Sequence, residues 1–303
     1  MRYMNLHKEE ELFEWAVQMT AEKLAIAMNI VEKDYYVTLY LKELVKRIPM
    51  LVFKGGTSLS KCHKVIDRFS EDIDLSLNVD RATEGQRKSF KKAILEINTE
   101  FGFELNNEDN VRSRREFNRY EITYPSVFNI NILKPFLYIE TSLFMRAYPV
   151  EVKKADSYIY QFLCSKKKED LIEEFGLEPF DICVQQLNRT MVDKLFAIGD
   201  YYLAERVKGY SRHIYDIYRL FPMVAFDEEF KGLIAEVRAT RKNHQACLSA
   251  RDDIDMNKLL QKIADENYYK SDYERITQAL IFDTVDYETA LKKLKEIISF
   301  HLF

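Results

Sequence analysis

Glycine is scarce in this chain, 8 residues of 303, where average usage runs to about 7%. An adjacent pair, Gly55–Gly56, stands out against that background and marks the first place to look for chemistry. The four cysteines, Cys62, Cys164, Cys183 and Cys247, lie far apart and form no CxxC pair, which argues against a structural zinc or a disulfide framework and suits a reducing cytosol. The histidines, His7, His63, His213, His244 and His301, are too scattered for a ligand motif and are assigned no role. No run of about 18 apolar residues occurs and no basic-then-apolar leader opens the sequence, so a spanning helix, a signal peptide and a membrane partner are not expected and the cytoplasm is. Charge of one sign is also lacking. A formal net charge of −4 gives no long-range pull toward a polyanion, so any nucleic-acid contact must rest on local basic patches.

What is present is an ordinary globular balance, 47% apolar and 31% charged, with 19 Tyr and 20 Phe. The length suits one large domain or two modest ones. Apolar positions at helical spacing (Leu12, Trp15, Ala16, Met19, then Tyr36, Leu39, Tyr40, Leu44) predict two helices over 8–47, ending before Pro49. Met50–Phe53 is a short apolar run between Pro49 and Gly55, as expected of a buried strand. Thr57–Ile66 reads as a helix, Ile73–Leu77 as a second strand and Glu84–Glu100 as another helix. Phe103–Val152 alternates irregularly, broken at Pro125, Pro135 and Pro149, which predicts antiparallel strands and loops. From about Asp170 the pattern is helical. The polar stretch SKKKED at 165–170 reads as a linker, so the expected organisation is an α+β domain over 1–165 and a helical domain over 166–303. No internal repeat stands out.

The sharpest feature is FKGGTSLSK (53–61) followed by RFSEDIDLSL (68–77). A strand that ends in Gly-Gly and turns into a helix presents backbone N–H groups to phosphate oxygens, and Ser58 can add a hydroxyl. Asp72 and Asp74 are two apart on a predicted strand, so both carboxylates leave one face while Ile73 points into the core. Two converging carboxylates repel unless a cation sits between them. Mg²⁺ suits them, because one or two carboxylates plus a substrate's own phosphates commonly hold it; Mn²⁺ is the alternative.

This order, Gly-Gly/Ser, short helix, Asp-x-Asp, resembles the nucleotidyltransferase superfamily. More closely, the blocks EKDYYV (32–37), FKGGTSLSK, RFSEDIDLSL, DKLFAIGDYY (193–202) and SRHIYDIYRL (211–220) resemble the AbiEii/AbiGii toxin family, the MenT toxins among them. The resemblance implies a nucleotidyltransferase-like mixed sheet with flanking helices, followed by a mainly helical half that completes the active site. It further implies a toxin of a toxin–antitoxin or phage-defence system with a cognate antitoxin protein as partner. Relatives of this kind transfer a nucleotide from a nucleoside triphosphate to the acceptor end of a tRNA.

Carried over residue by residue, the resemblance gives Gly56 and Ser58 of the turn, Asp72 and Asp74 as catalytic and metal-binding, and Lys194 and Asp216 as the later functional lysine and aspartate; with Gly55 and Thr57 of the same turn, Gly56, Ser58 and Lys194 make up the expected nucleotide-binding set. Arg68 lies in a matching block and is assigned no role. The superfamily adds a third carboxylate from a neighbouring strand, for which Glu140 in KPFLYIETSLF (134–144) is the candidate and Glu121 the rival. The implied reaction is attack of an acceptor hydroxyl on the α-phosphorus with loss of pyrophosphate, supported by one ion at Asp72 and Asp74 and a second shared with Glu140. Bare spacing says otherwise for two of these residues: Lys194 reads as an exposed lysine on an apolar helix, and Arg212–Asp216, four apart, as a surface ion pair. Arg112, Arg114, Arg115 and Arg119 form one basic cluster. Arg206, Lys208, Arg212, His213 and Arg219 form another beside Tyr201, Tyr202 and Tyr210, and basic side chains interleaved with aromatics suit an RNA strand. A protein-modifying nucleotidyltransferase and a non-catalytic nucleotide-binding module are the alternatives.

Overall fold

The computed structural model describes residues 4–70, 72–128 and 136–303. Glu71, within the Asp-x-Asp block, and Pro135, an expected strand break, lie outside the described residues. The chain divides into two compact units. The first comprises the residues up to His63 and Ser70–Val184, the second Lys64–Phe69 and Gln185–Phe303.

The first unit opens with α1 (Glu10–Leu24) and α2 (Met28–Arg47), followed by β1 (Leu51–Lys54), α3 (Gly55–Lys61), β2 (Asp72–Leu77) and α4 (Glu84–Phe101). Next come β3 (Glu104–Leu105), β4 (Phe117–Thr123), β5 (Phe136–Ser142), β6 (Val150–Ala155), α5 (Tyr158–Ser165), α6 (Glu169–Glu174) and β7 (Phe180–Gln185). The seven strands form one mixed sheet in the order β3-β4-β5-β2-β1-β7-β6. β1 runs antiparallel to β2 and parallel to β7, while β2 runs parallel to β5. The α+β class and the mixed sheet are as expected. The expected antiparallel pairing over 103–152 holds for β3-β4 and β4-β5.

Two expectations are corrected here. The helix read over Thr57–Ile66 stops at Lys61, because the His63 N–H turns back onto the Ser58 carbonyl and Lys64 takes a left-handed φ of 56°. The second correction is β7, which lies in the stretch read as helical from about Asp170. Ile182 and Val184 alternate there with more exposed residues, and Val184 pairs with Phe53 of β1. The SKKKED stretch joins α5 to α6 inside the first unit.

The core of the first unit gathers Phe13, Val31, Tyr36, Tyr40 and Leu44 of the first two helices with Phe53, Ile73, Leu75, Ile94 and Ile139. One buried cation beside them is fully matched. Lys61 at the end of α3 donates to Asp34 (2.5 Å), Thr38 (2.7 Å) and the Asp156 carbonyl (2.9 Å). The other Asp34 oxygen accepts the Tyr158 N–H at 2.8 Å. One carboxylate of the EKDYYV block thus fixes α3 against α2, and with it the turn that begins α3.

The second unit is helical: α7 (Leu187–Leu203), α8 (Arg212–Leu220), α9 (Glu228–Arg241), α10 (Met256–Asp265), a short α11 (Lys270–Asp272) that runs into a π-helical turn at Tyr273–Thr277, and α12 (Tyr287–Ser299). Its core includes Met191, Leu195 and Ile198 of α7, Ile214 and Ile217 of α8, and Leu291 and Leu294 of α12, all nearly or fully buried. The segment Lys64–Phe69 joins this unit through a bridge between Arg68 and Ile281 and a hydrogen bond from Phe69 N–H to the Leu280 carbonyl. Among the described residues no helix is long and apolar enough to cross a membrane.

Candidate functional site

On β2 the burial alternates as the sequence predicts, with Asp72 and Asp74 half-buried and Ile73 fully buried between them. The register extends this pattern into rows across the sheet. Lys54 of β1, Asp74 of β2, Glu140 of β5 and Arg119 of β4 are successive partners, as are Asp72, Tyr138 and Glu121. Partners in register project to the same side. Asp72, Asp74 and Glu140 therefore share one face, with Asp74 and Glu140 adjacent. Neighbouring like charges destabilise a sheet, and cations bracket this pair at both ends of its row. Arg119 stands 3.6 Å from the Glu140 carboxylate and lies over the Tyr138 ring at 4.0 Å. Glu121 lies two strands from β2 and accepts from Asn106 at 3.3 Å. Glu140 is thus the candidate on the strand next to the Asp-x-Asp pair.

The Gly55–Gly56 turn sits against these carboxylates. Lys54 is the last residue of β1 and pairs with Asp74, and Gly55 then takes φ 74° to start α3. That left-handed conformation suits glycine. A side chain is also excluded by space, since a Cβ on Gly55 would coincide with the Asp74 carboxylate. Thr57 and Ser58 are buried, and their hydroxyls serve the turn: Ser58 donates to the Gly55 carbonyl at 2.9 Å and Thr57 to the Asp72 carbonyl at 2.5 Å. The Ser58 hydroxyl expected to face a phosphate is used inside the loop. Backbone N–H groups of the first helical turn remain the donors such a turn offers.

Among the described residues no three His, Cys, Asp or Glu side chains gather closely enough to hold an ion by themselves. A half-buried carboxylate pair beside a glycine turn nevertheless fits a hard cation that shares its coordination with a substrate's phosphates. Gly55→Ala is expected to cost about 1–2 kcal/mol through the positive φ alone, and to reduce transfer far more by displacing the Asp74 carboxylate. Thermal melting and single-turnover rates measured on the same preparation separate the two effects. An alanine variant with wild-type turnover would detach Gly55 from the site.

In the second unit a different cluster brings together Lys194 of α7, Asp216 of α8 and Arg68. Arg68 grips the carboxylate as a fork, Nε to Oδ1 at 2.7 Å and Nη2 to Oδ2 at 2.8 Å, and its Nη1 donates to the Phe69 carbonyl at 2.9 Å. Lys194 reaches Oδ2 at 2.5 Å. Relative exposures of 4% for Arg68, 5% for Lys194 and 0% for Asp216 correct both bare-spacing expectations. Lys194 is not an exposed lysine, and Asp216 does not form a surface ion pair. Helix α8 turns its acidic residue into the core, where only a charge partner from elsewhere in the chain can stabilise it.

Burial alone would push the Asp216 carboxyl up, but Arg68 and Lys194 outweigh it and hold the group well below the usual carboxylate range. Burial pushes the Lys194 amine down; Asp216 opposes that and Arg68 reinforces it, leaving the amine below the usual lysine value. Two cations hold the one anion firmly charged, while the amine's fall comes first from burial and then from Arg68 beside it. Arg68 is the site residue that sequence reasoning left without a role. Its partner is 148 positions away, and no spacing signal spans such a distance.

The family described as "Nucleotidyl transferase AbiEii toxin, Type IV TA system" matches residues 40–293. That span contains the glycine turn, the Asp-x-Asp strand, Glu140 and the Arg68–Lys194–Asp216 cluster. No curated protein matches the chain.

Proposed function

The chain belongs to the nucleotidyl transferase AbiEii toxin family of type IV toxin–antitoxin systems, and from that premise we propose that it transfers a nucleotide from a nucleoside triphosphate to RNA, at the 3′ end of a tRNA. The observation that carries this reading is the Asp72–Asp74 pair on one face of β2 with the Asp74 carboxylate lying against the Gly55 backbone. The backbone amides of residues 55–58 bind phosphate oxygens of the triphosphate. Asp72 and Asp74 would hold Mg²⁺ or Mn²⁺, with Glu140 as the additional carboxylate from the neighbouring strand. When bound, the ion supplies charge stabilisation to the phosphates and acidifies the attacking hydroxyl.

The chain's own contribution is chiefly positioning and electrostatics. The glycine turn orients the triphosphate, and the acceptor hydroxyl attacks the α-phosphorus as the bond to pyrophosphate breaks. Lys194, held by Asp216, belongs to the triphosphate-binding set. The cellular setting is the cytoplasm, where tRNA is found, and growth arrest of a phage-infected cell is the defence role that follows.

Purified protein incubated with each α-labelled triphosphate, total RNA and total protein tests the acceptor. The expected result is label that travels with RNA, is lost on ribonuclease treatment and disappears when divalent ions are chelated. Label that survives nuclease and migrates with protein would replace the RNA reading with protein modification. Triphosphate binding without pyrophosphate release would replace it with a binding module. Expression in a bacterial host should arrest growth unless the cognate antitoxin is present, and Asp72→Ala should relieve the arrest. Unimpaired growth with abundant, folded wild-type protein would count against a toxin acting through this site.

A further inference from the structure

Three rings in the second unit lie nearly parallel. Tyr201 of α7 and Tyr210, which precedes α8, are stacked with centroids 3.5 Å apart and planes 18° from parallel. The His213 ring aligns with Tyr201 at 5° and with Tyr210 at 14°, at centroid separations of 5.8 and 6.4 Å. All three are half-buried rather than sealed in the core.

The structure holds Tyr210 firmly. Gly209 takes φ 81°, and the N–H groups of Gly209 and Ser211, on either side of the tyrosine, donate to the buried Asp272 carboxylate at 2.9 and 3.2 Å. The Ser211 hydroxyl is a third donor to Asp272, at 2.7 Å. The Tyr210 N–H bonds the Val207 carbonyl, and its own carbonyl accepts from His213 N–H. A buried carboxylate thus shapes the turn that presents a half-exposed ring.

The rings also lie along the Lys194–Asp216 seam. Tyr201 is seven residues after Lys194 on α7, two turns along the same face and about 10 Å farther on. His213 precedes Asp216 by three residues on α8 and so lies on its side of that helix. Cations outnumber anions around the rings, where exposed Glu205 and the buried Asp272 are the carboxylates. Arg206 and Lys208 are exposed, Arg212 is half-buried, and the buried cluster behind them has two cations for one anion. His213 Nδ1 is buried with no hydrogen-bond partner among the described residues. Burial, reinforced by Lys194 and Arg212, keeps that ring neutral. The neutral ring therefore adds no charge of its own to the site.

We propose that Tyr201, Tyr210 and His213 form a stacking platform for an unpaired base of the acceptor RNA, with Arg206, Lys208 and Arg212 on its phosphates. Aromatic rings interleaved with flexible cations are how proteins hold single strands, since every base has a face to stack and every linkage a charge. The inference rests on the RNA-acceptor reading and assigns the strand a place in the second unit.

The test uses the full chain and a short fluorescein-labelled single-stranded RNA, with binding followed by anisotropy, and separate KM values for the RNA acceptor and the triphosphate. Tyr210→Ala and Tyr201→Ala are expected to weaken RNA binding and raise the KM for RNA by roughly tenfold or more. The KM for triphosphate should stay unchanged, and the Phe variants should behave like wild type. Arg206→Glu, an exposed change that does not threaten folding, should weaken binding with a shallower salt dependence. If wild type binds the RNA and folded Tyr210→Ala and Tyr201→Ala bind it equally well, the platform is wrong and the RNA reading stands. If wild type binds no RNA and labels protein instead, both are wrong.

Discussion

Asp74→Asn is expected to leave a folded protein whose rate of nucleotide transfer is lower by roughly a thousandfold or more, the scale on which charge stabilisation by a bound ion acts. The substitution keeps the shape of the side chain and removes only its charge. Asp74 is half-buried at the centre of the Lys54–Asp74–Glu140–Arg119 row, and removing one of two adjacent negative charges relieves repulsion. The fold should therefore be unharmed. Asp72→Asn should behave alike, being the other half of the pair. Circular dichroism and melting temperature establish the fold, and single-turnover transfer with α-labelled triphosphate gives the rate. A folded Asp74→Asn that retains a tenth of wild-type transfer would remove this residue from the reaction centre.

The Asp-x-Asp pair and its glycine turn were legible because all their geometry is local. Alternation along β2 sets the side of the sheet on which each aspartate lies, and one strand-to-helix turn brings Gly55 against Asp74. Glu140 was legible only as a candidate. Its register with Asp74 depends on a parallel pairing between strands more than sixty residues apart in sequence, and hydropathy carries no information about that. β7 escaped because six residues of alternation, Phe180 to Gln185, lie between helical stretches, and the partner that makes them a strand is β1, far earlier in the chain. Lys194 and Asp216 were misread from spacing for the same reason. A lysine on an apolar helix is snorkelling or buried according to whether an anion waits inside the fold, and here Asp216 does, with Arg68 already on it. The clamp of Asp272 on Gly209 and Ser211, some sixty positions away, was equally invisible.

The Arg68–Asp216–Lys194 cluster gives the other large expectation, and it separates stability from catalysis. Asp216→Ala would leave two buried cations facing each other with no anion, a loss expected to cost about 3–5 kcal/mol. At about 2–4 °C per kcal/mol, melting should fall by roughly 6–20 °C. Lys194→Met leaves the Arg68 fork on Asp216 intact and removes the surplus buried charge, so it should change the melting temperature little. Transfer should nonetheless fall by about a hundredfold if the amine meets the triphosphate, a difference near 2.7 kcal/mol.

The pH dependence of stability gives independent signs. Asp216 titrates below its unfolded value of about 3.9. The unfolded chain therefore binds more protons between the two values, and the stability from this group, complete above about pH 3.9, is lost as pH falls through the folded value. Asp216→Asn should abolish that acid limb. Lys194 also titrates below its unfolded value, about 10.4. In the window just below that value the unfolded chain again binds more protons, so stability should rise with pH there, and Lys194→Met should remove the rise. A Lys194→Met protein that melts far below wild type but transfers nucleotide at the full rate per folded molecule would make Lys194 a structural residue and leave the triphosphate to the first unit.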